Sequence, residues 1–129
     1  MGGPAKNKEL ITRFLEEMNG IRKERQHLEQ FVSDERLIAH ILFFEQVFPA
    51  HALLLDEATA DGDRVICRVR LKGRHVGRLA GAPPTRKLVD FPMVLGCTIE
   101  KNKIANHWLI ADQIQLLEQL GIEHENKQL

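Results

Sequence analysis

The stretch ADGDRVICRVRLKGRH, residues 60–75, decides the fold. Asp61-Gly62-Asp63 is a turn signal, since glycine adopts the positive φ that tight hairpin turns need. From Arg64 to Arg74 the chain alternates: Val65, Cys67, Val69 and Leu71 face one side, and Arg68, Arg70 and Lys72 the other. A period of two with one apolar side describes a strand in an antiparallel sheet with a buried and a wet face. Leu53 to Ala60 supplies the preceding strand across the turn. Downstream, Gly77, Gly81 and Pro83-Pro84 mark a loop or bulged region. A long strand follows, with Val89, Phe91, Met93, Leu95, Cys97 and Ile99 on one apolar face and Pro92 and Gly96 suggesting a bend. Lys101-Asn102-Lys103 turns the chain into a strand from Ile104 to Ala111. Asp112 to Leu120 then reads as a last helix with Ile114, Leu117 and Leu120 inward and Gly121 closing it.

Upstream of Pro49 the period is 3.6 rather than two. Leu10, Ile11, Phe14, Leu15 and Met18 share one helical face, with Asn7 as a cap and Asn19-Gly20 as the stop. A short helix with Leu28, Phe31 and Val32 follows within Arg22 to Val32. Ser33-Asp34 then caps a well-buried helix that starts at Glu35, carries Leu37, Ile38, Ile41, Leu42, Phe44, Val47 and Phe48, and stops at Pro49. Helices first and a curved antiparallel sheet second make an α+β order, in which the helices cover one sheet face.

Composition narrows the function. A chain of 129 residues points to one domain, 1–129, with residues 1–6 and 123–129 as flexible ends. Lys plus Arg number 18 and Asp plus Glu 18, so no global field recruits nucleic acid or acidic lipid. The only charge asymmetry, Arg68 to Lys87, alternates with apolar residues and lacks interleaved aromatic rings, which fits a solvated face better than a nucleic-acid partner. The N-terminus lacks an apolar signal region, and His40, Glu45, Gln46, Pro49 and His51 interrupt the longest apolar stretch. A cytoplasmic protein without a membrane span is therefore expected. Cys67 and Cys97 form no C-x-x-C pair and read as small core residues. The six histidines show no H-x-H or H-x-x-x-H spacing, so no metal site is expected. Tyrosine is absent, which excludes a phenolic acid or oxyanion donor.

Two places carry candidate chemistry. His75 continues the apolar alternation of residues 65–71, so its imidazole enters the interior, either as a satisfied buried histidine or as an acid, base or donor in a pocket. Asn106, Trp108, Ile110 and Asp112 share one strand face, with His107 opposite, and the carboxylate and indole together suit a cavity wall. Asp112 has a second reading: with Gln115 three positions on it forms an approximate capping box ahead of the last helix. Both readings stand at this stage.

The segment Gly73-Arg74-His75-Val76-Gly77-Arg78-Leu79-Ala80-Gly81-Ala82-Pro83-Pro84-Thr85, the later Asn106-His107-Trp108-Leu109-Ile110-Ala111-Asp112 and the ending Leu116-Leu117-Glu118-Gln119-Leu120-Gly121 resemble the SnoaL-like polyketide cyclase (ester cyclase) family. Phe43-Phe44-Glu45-Gln46-Val47-Phe48-Pro49, Asp61-Gly62-Asp63-Arg64-Val65 and Met18-Asn19 extend the match upstream. The resemblance implies a cone of the nuclear transport factor two type, a strongly curved antiparallel sheet with helices around a deep apolar cavity. It further implies a cyclase or isomerase that needs no metal or organic cofactor and closes a ring by intramolecular aldol chemistry on a small apolar carbonyl compound. On this basis Asp112 is the acid/base, His75 the pocket histidine and Asn19 a substrate contact, with Trp108, Phe91 and Met93 lining the cavity. A poorly solvated carboxylate in such a pocket would be a stronger base. Family members commonly pair through the open sheet face, so a homodimer is expected. The alternative on the same scaffold is a non-catalytic ligand-binding or dimerisation module. Arg86, Ala50 and Glu100-Lys101-Asn102-Lys103 depart from the family's usual residues and leave the substrate open.

Overall fold

A computed structural model describes residues 3–122. Helix α1 runs Pro4–Met18 and α2 Arg25–Leu28, and α3 spans Glu35–Val47. Four strands follow, β1 Ala52–Asp61, β2 Arg64–Arg74, β3 Leu88–Glu100 and β4 Lys103–Ala111, before the closing helix α4, Gln113–Leu120. The strands form one antiparallel meander in the order β1-β2-β3-β4. The architecture is α+β, with the helices on one face of the sheet, as the change of period at Pro49 predicts.

Local details depart from expectation in three places. The cap of α1 is Gly3, with Pro4 in the first turn, where its missing N–H costs nothing. Asn7 instead lies buried inside α1 and donates from Nδ2 to the Gly62 carbonyl at 2.9 Å, tying the helix to the β1–β2 turn. Residues 4–6 belong to α1, while residues 1–2 and 123–129 lie outside the described residues. In α4 the inward residues are Leu116, Leu117 and Leu120, whereas Ile114 is exposed.

One face of the sheet is the core. Val65, Cys67, Val69 and Leu71 of β2 and all six predicted apolar residues of β3 are buried, together with Phe14, Leu28, Ile38 and Phe48 from the helical side. Cys67 and Cys97 are free, buried thiols; burial pushes Cys67 up to about 12 and Cys97 higher still, so neither is a nucleophile at neutral pH. Between Thr98 and Ile99 the β3–β4 register slips at a bulge, and beyond it His107, Leu109 and Ala111 turn inward while Trp108 and Ile110 turn out. Gly96 lies under the Trp108 indole: a Cβ there would clash with the ring, so only glycine lets the ring lie against the strand.

The outer face is less basic than its sequence suggests. Arg70 bonds to Asp56 on β1 (3.3 Å) and Asp90 on β3 (3.2 Å), and Arg68 pairs with Glu57 (3.7 Å). These cross-strand pairs use carboxylates that the pairing of β2 with β1 and β3 brings alongside the arginines. Among the described residues no helix is long and apolar enough to cross a membrane.

Candidate active site

Where α1 and α3 lean over the inner sheet face, a narrow cavity of about 40 Å³ remains. Its wall is almost wholly apolar, built from side chains such as Phe14, Ile41, Phe44, Met93 and Leu109, and the polar side chains on it are two imidazoles, His40 and His51. A cavity of this size holds a water or two and no more. A larger guest needs the lining side chains to move aside.

His40 is the outer end of a chain of three side chains. The segment before α3 lies along β4: Ser33 and Asp34 donate their N–H groups to the Ile104 carbonyl (3.0 and 3.2 Å), and Ile104 donates back to Phe31 (2.8 Å). This fixes Asp34 beside the inward-facing His107. Asp34 caps α3 through Oδ1, which accepts from Arg36 N (2.9 Å) and Leu37 N (3.3 Å). Its other oxygen, Oδ2, is thereby aimed at His107 Nδ1, 2.6 Å away. Burial raises the Asp34 carboxyl, but the His107 bond and charge and the two cap N–H groups outweigh it and hold Asp34 below its ordinary value. His107 Nε2 in turn meets His40 Nδ1 at 3.0 Å, the two rings standing edge to face at 88°. Asp34 and His107 are buried, and His40 is exposed on α3 at the cavity rim. Burial lowers the His40 pKa, as do His107 and Arg36, with Asp34 opposing. The three groups stand in a row and do not converge: among the described residues no group of His, Cys, Asp and Glu is arranged to hold a metal ion.

His51 is held differently. Its Nδ1 donates to the Phe48 carbonyl at 2.9 Å, which leaves the lone pair on Nε2. Burial and the nearby Lys23 charge push His51 down to about 4, against the Phe48 bond, so it is neutral at physiological pH. Lys23 is itself buried, donating to the carbonyls of His51 (2.7 Å) and Ile21 (3.0 Å) with Glu45 Oε1 3.8 Å away. Burial lowers Lys23 to about 8, with Glu45 opposing. Glu45 Oε2 accepts from Ala50 N at 2.8 Å. These contacts knot the turn between α3 and β1, where Ala50 takes a positive φ of 54°.

The residues singled out from the sequence are dispersed. Met93 lines the cavity. Phe91 is buried beside it but packs on Phe48, with ring centroids 6.0 Å apart. Trp108 does not line the interior; it is 47 % exposed on the outer face, because the strand face it shares with Asn106, Ile110 and Asp112 is the outer one. Asp112 is exposed and outside the cavity, capping α4 by accepting from Gln115 N at 3.0 Å. Asn19 sits at the exposed end of α1, where Oδ1 accepts from Leu53 N at 3.0 Å and joins helix to sheet. His75 is fully buried, accepting at Nδ1 from Thr85 N (3.1 Å), while Nε2 finds no hydrogen-bond partner among the described residues. Burial lowers its pKa, opposed by the Gly77 backbone. The row of Asp34, His107 and His40 leaves no local pattern in the sequence, because His107 lies 67 residues from His40 and 73 from Asp34. The one available signal was that His107 must face opposite Trp108.

Comparison with known proteins agrees with this architecture. No curated protein matches the chain. Among solved structures, TsrD from Streptomyces laurentii superposes with a TM-score of 0.79 at 24 % identity, covering 95 % of this chain and all of that one. A SnoaL-like polyketide cyclase from Agrobacterium tumefaciens strain C58 gives 0.75 at 17 % identity, over 94 % of this chain and 100 % of that one. AclR from Streptomyces galilaeus, whose assignment as a hydroxylase is itself provisional, gives 0.77 at 21 % over 92 % and 82 %. Identities this low establish the shared fold and nothing finer. The family model for SnoaL-like polyketide cyclases matches residues 7–120, nearly the whole described chain, and the protein belongs to that family.

Proposed function

We propose that the chain is a cofactor-independent cyclase or isomerase that moves protons on a small, mostly apolar carbonyl compound held in the cavity between α1, α3 and the sheet. The observation that carries this reading is an apolar wall whose polar side chains are both imidazoles. In such surroundings the carbon skeleton of a guest is desolvated while a base at the rim can reach the proton next to its carbonyl. Ring closure of the aldol type needs one group to take a proton next to a carbonyl and return one to the new alkoxide. An imidazole serves both steps near neutral pH. Of the two, His51 is held neutral down to about pH 4 and is the weaker base. Asp112, given the acid/base role by family resemblance, stands on the other side of the sheet end as a helix cap.

The test is a screen of small cyclic ketones by amide chemical-shift mapping, repeated on Leu109→Trp, which fills the cavity. Shifts clustered at Ile41, Phe44 and Met93 that vanish in the variant support the reading. The small volume favours a second reading, a module that binds no substrate and works through its outer face. Shifts confined to the face around Trp108, indifferent to Leu109→Trp, would establish that reading and dismiss the first.

A further inference from the structure

We infer that Asp34, His107 and His40 form a proton relay that presents the unprotonated Nε2 of His40 at the cavity rim as the catalytic base, with His107 and Asp34 as positioning residues. The inference rests on the proton-transfer reading of the cavity and names the group that carries it.

The wiring follows from hydrogen-bond polarity. A carboxylate only accepts, so Asp34 Oδ2 fixes the proton of His107 on Nδ1 at 2.6 Å. With a single proton on His107, its Nε2 keeps a lone pair, and the 3.0 Å contact then has His40 Nδ1 donate to it. The remaining nitrogen of His40, Nε2, is left bare. Asp34 cannot reverse this polarity, because its other oxygen is occupied by the cap N–H groups of Arg36 and Leu37. One residue thus starts the helix and sets the tautomer of an imidazole on a different turn of it.

The relay also supplies the return step. When His40 Nε2 takes a proton from carbon, the C–H bond breaks, its electron pair forms the enolate and the charge appears on His40. The Nδ1 proton can then pass to His107 Nε2, placing the imidazolium against the Asp34 carboxylate at the buried end. After the enolate attacks the second carbonyl, that proton returns to His40 Nδ1 and the Nε2 proton goes to the alkoxide. Every proton is accounted for and no co-reactant is needed. The charged groups that act on His40 are Asp34, His107 and Arg36. The short Asp34–His107 contact and its burial separate this row from an incidental surface cluster.

The decisive measurement needs no substrate. Long-range ¹H–¹⁵N correlation spectra of the full chain at pH 8 report which ring nitrogen is protonated. Both His107 and His40 should carry the proton on Nδ1. In Asp34→Asn the amide oxygen keeps the cap and the NH₂ group faces His107, so both rings should switch to the Nε2–H tautomer. A residue that only capped α3 would not change the tautomer of His40. His40 protonated on Nε2 in the wild type, or unchanged in a folded Asp34→Asn, overturns the relay. The wild-type spectrum decides alone if the variant fails to fold. A second arm follows α-proton exchange of cyclohexanone in D₂O: the wild type should exceed buffer, and His40→Gln should lose about a hundredfold or more. Exchange retained by His40→Gln removes His40 as the base. Absence of exchange in the wild type, with the tautomers as stated, instead defeats the proton-transfer reading and leaves the wiring intact.

Discussion

His51 gives the chain a specific acid sensitivity. Its imidazole is 2 % exposed, its Nδ1 donates to Phe48, and burial next to Lys23 lowers its pKa from the ordinary 6.5 to about 4. Between these values the unfolded chain binds a proton at this site and the native chain does not, so stability must fall as the pH falls. The contribution is fully present above pH 6.5, is lost progressively down to about 4, and amounts to about 3 kcal/mol over the whole window. His40 and His75 are lowered as well and act in the same direction, so the wild-type curve alone does not isolate His51. The variant that does is His51→Asn, whose amide can keep the bond to Phe48 but cannot titrate. Its smaller side chain should cost about 1–2 kcal/mol at pH 7 through lost packing. Urea unfolding followed by circular dichroism at pH 7, 6, 5 and 4.5 gives both curves. The wild type should start the more stable and lose its lead as the pH falls, the curves meeting above pH 4.5. A difference between the two that stays constant across this range would refute the assignment of a buried, neutral imidazole at position 51.

Two further outcomes follow from the outer face and its edge. Because Asp112 caps α4 with Oδ1 from an exposed position, Asp112→Ala should cost about 0.5–2 kcal/mol and Asp112→Asn only a few tenths, with ligand shifts in the cavity unchanged in both; their loss in Asp112→Asn would restore Asp112 to the chemistry. Ile66, Trp108 and Ile110 leave an apolar patch on the outer sheet face, 50 %, 47 % and 65 % exposed, flanked by arginines already paired with carboxylates. We propose that a second copy covers it: sedimentation should show twice the 14.8 kDa chain mass at micromolar concentration, and Trp108→Glu should return the chain to monomer. A monomeric wild type would discard the dimer.

The elements were legible where a single physical cause decides them. Pro49 ends α3 because proline cannot donate and clashes with the preceding turn, and Asp34 starts it because a carboxylate satisfies free N–H groups. The alternation from Val65 to Leu71 stated which residues of β2 are buried. Asn7 departs from its expected capping role for the converse reason: a cap residue and a buried tie to a distant turn look the same in sequence, and only the position of Gly62 separates them. The outer face is less basic than the run from Arg68 to Lys87 implies because the partners of Arg68 and Arg70 lie on neighbouring strands.

Legibility failed at the site for a geometric reason. Alternation assigns residues to one of two faces but does not say which face the helices cover, and for β4 the choice decides everything. If Trp108 and Asp112 face inward, the strand offers an indole and a carboxylate to the cavity; if His107 and Leu109 do, it offers an imidazole and an apolar wall. The bulge at the Thr98–Ile99 register shift resolves β4 in favour of His107, and the strip from Phe31 to Asp34 along its edge then brings Asp34 within 2.6 Å. Both partners of His107 are consequences of that one orientation. His40 lies 67 residues away in sequence and Asp34 73, separations at which no local pattern carries information. Yet the orientation itself had a cue, because Gly96 stands opposite Trp108 in the register and an inward indole would have needed that space inside a packed core. A large ring paired with a glycine on a two-faced strand is better accommodated on the open side, and that single inference would have turned His107 inward, toward the Asp34 already placed at the head of α3.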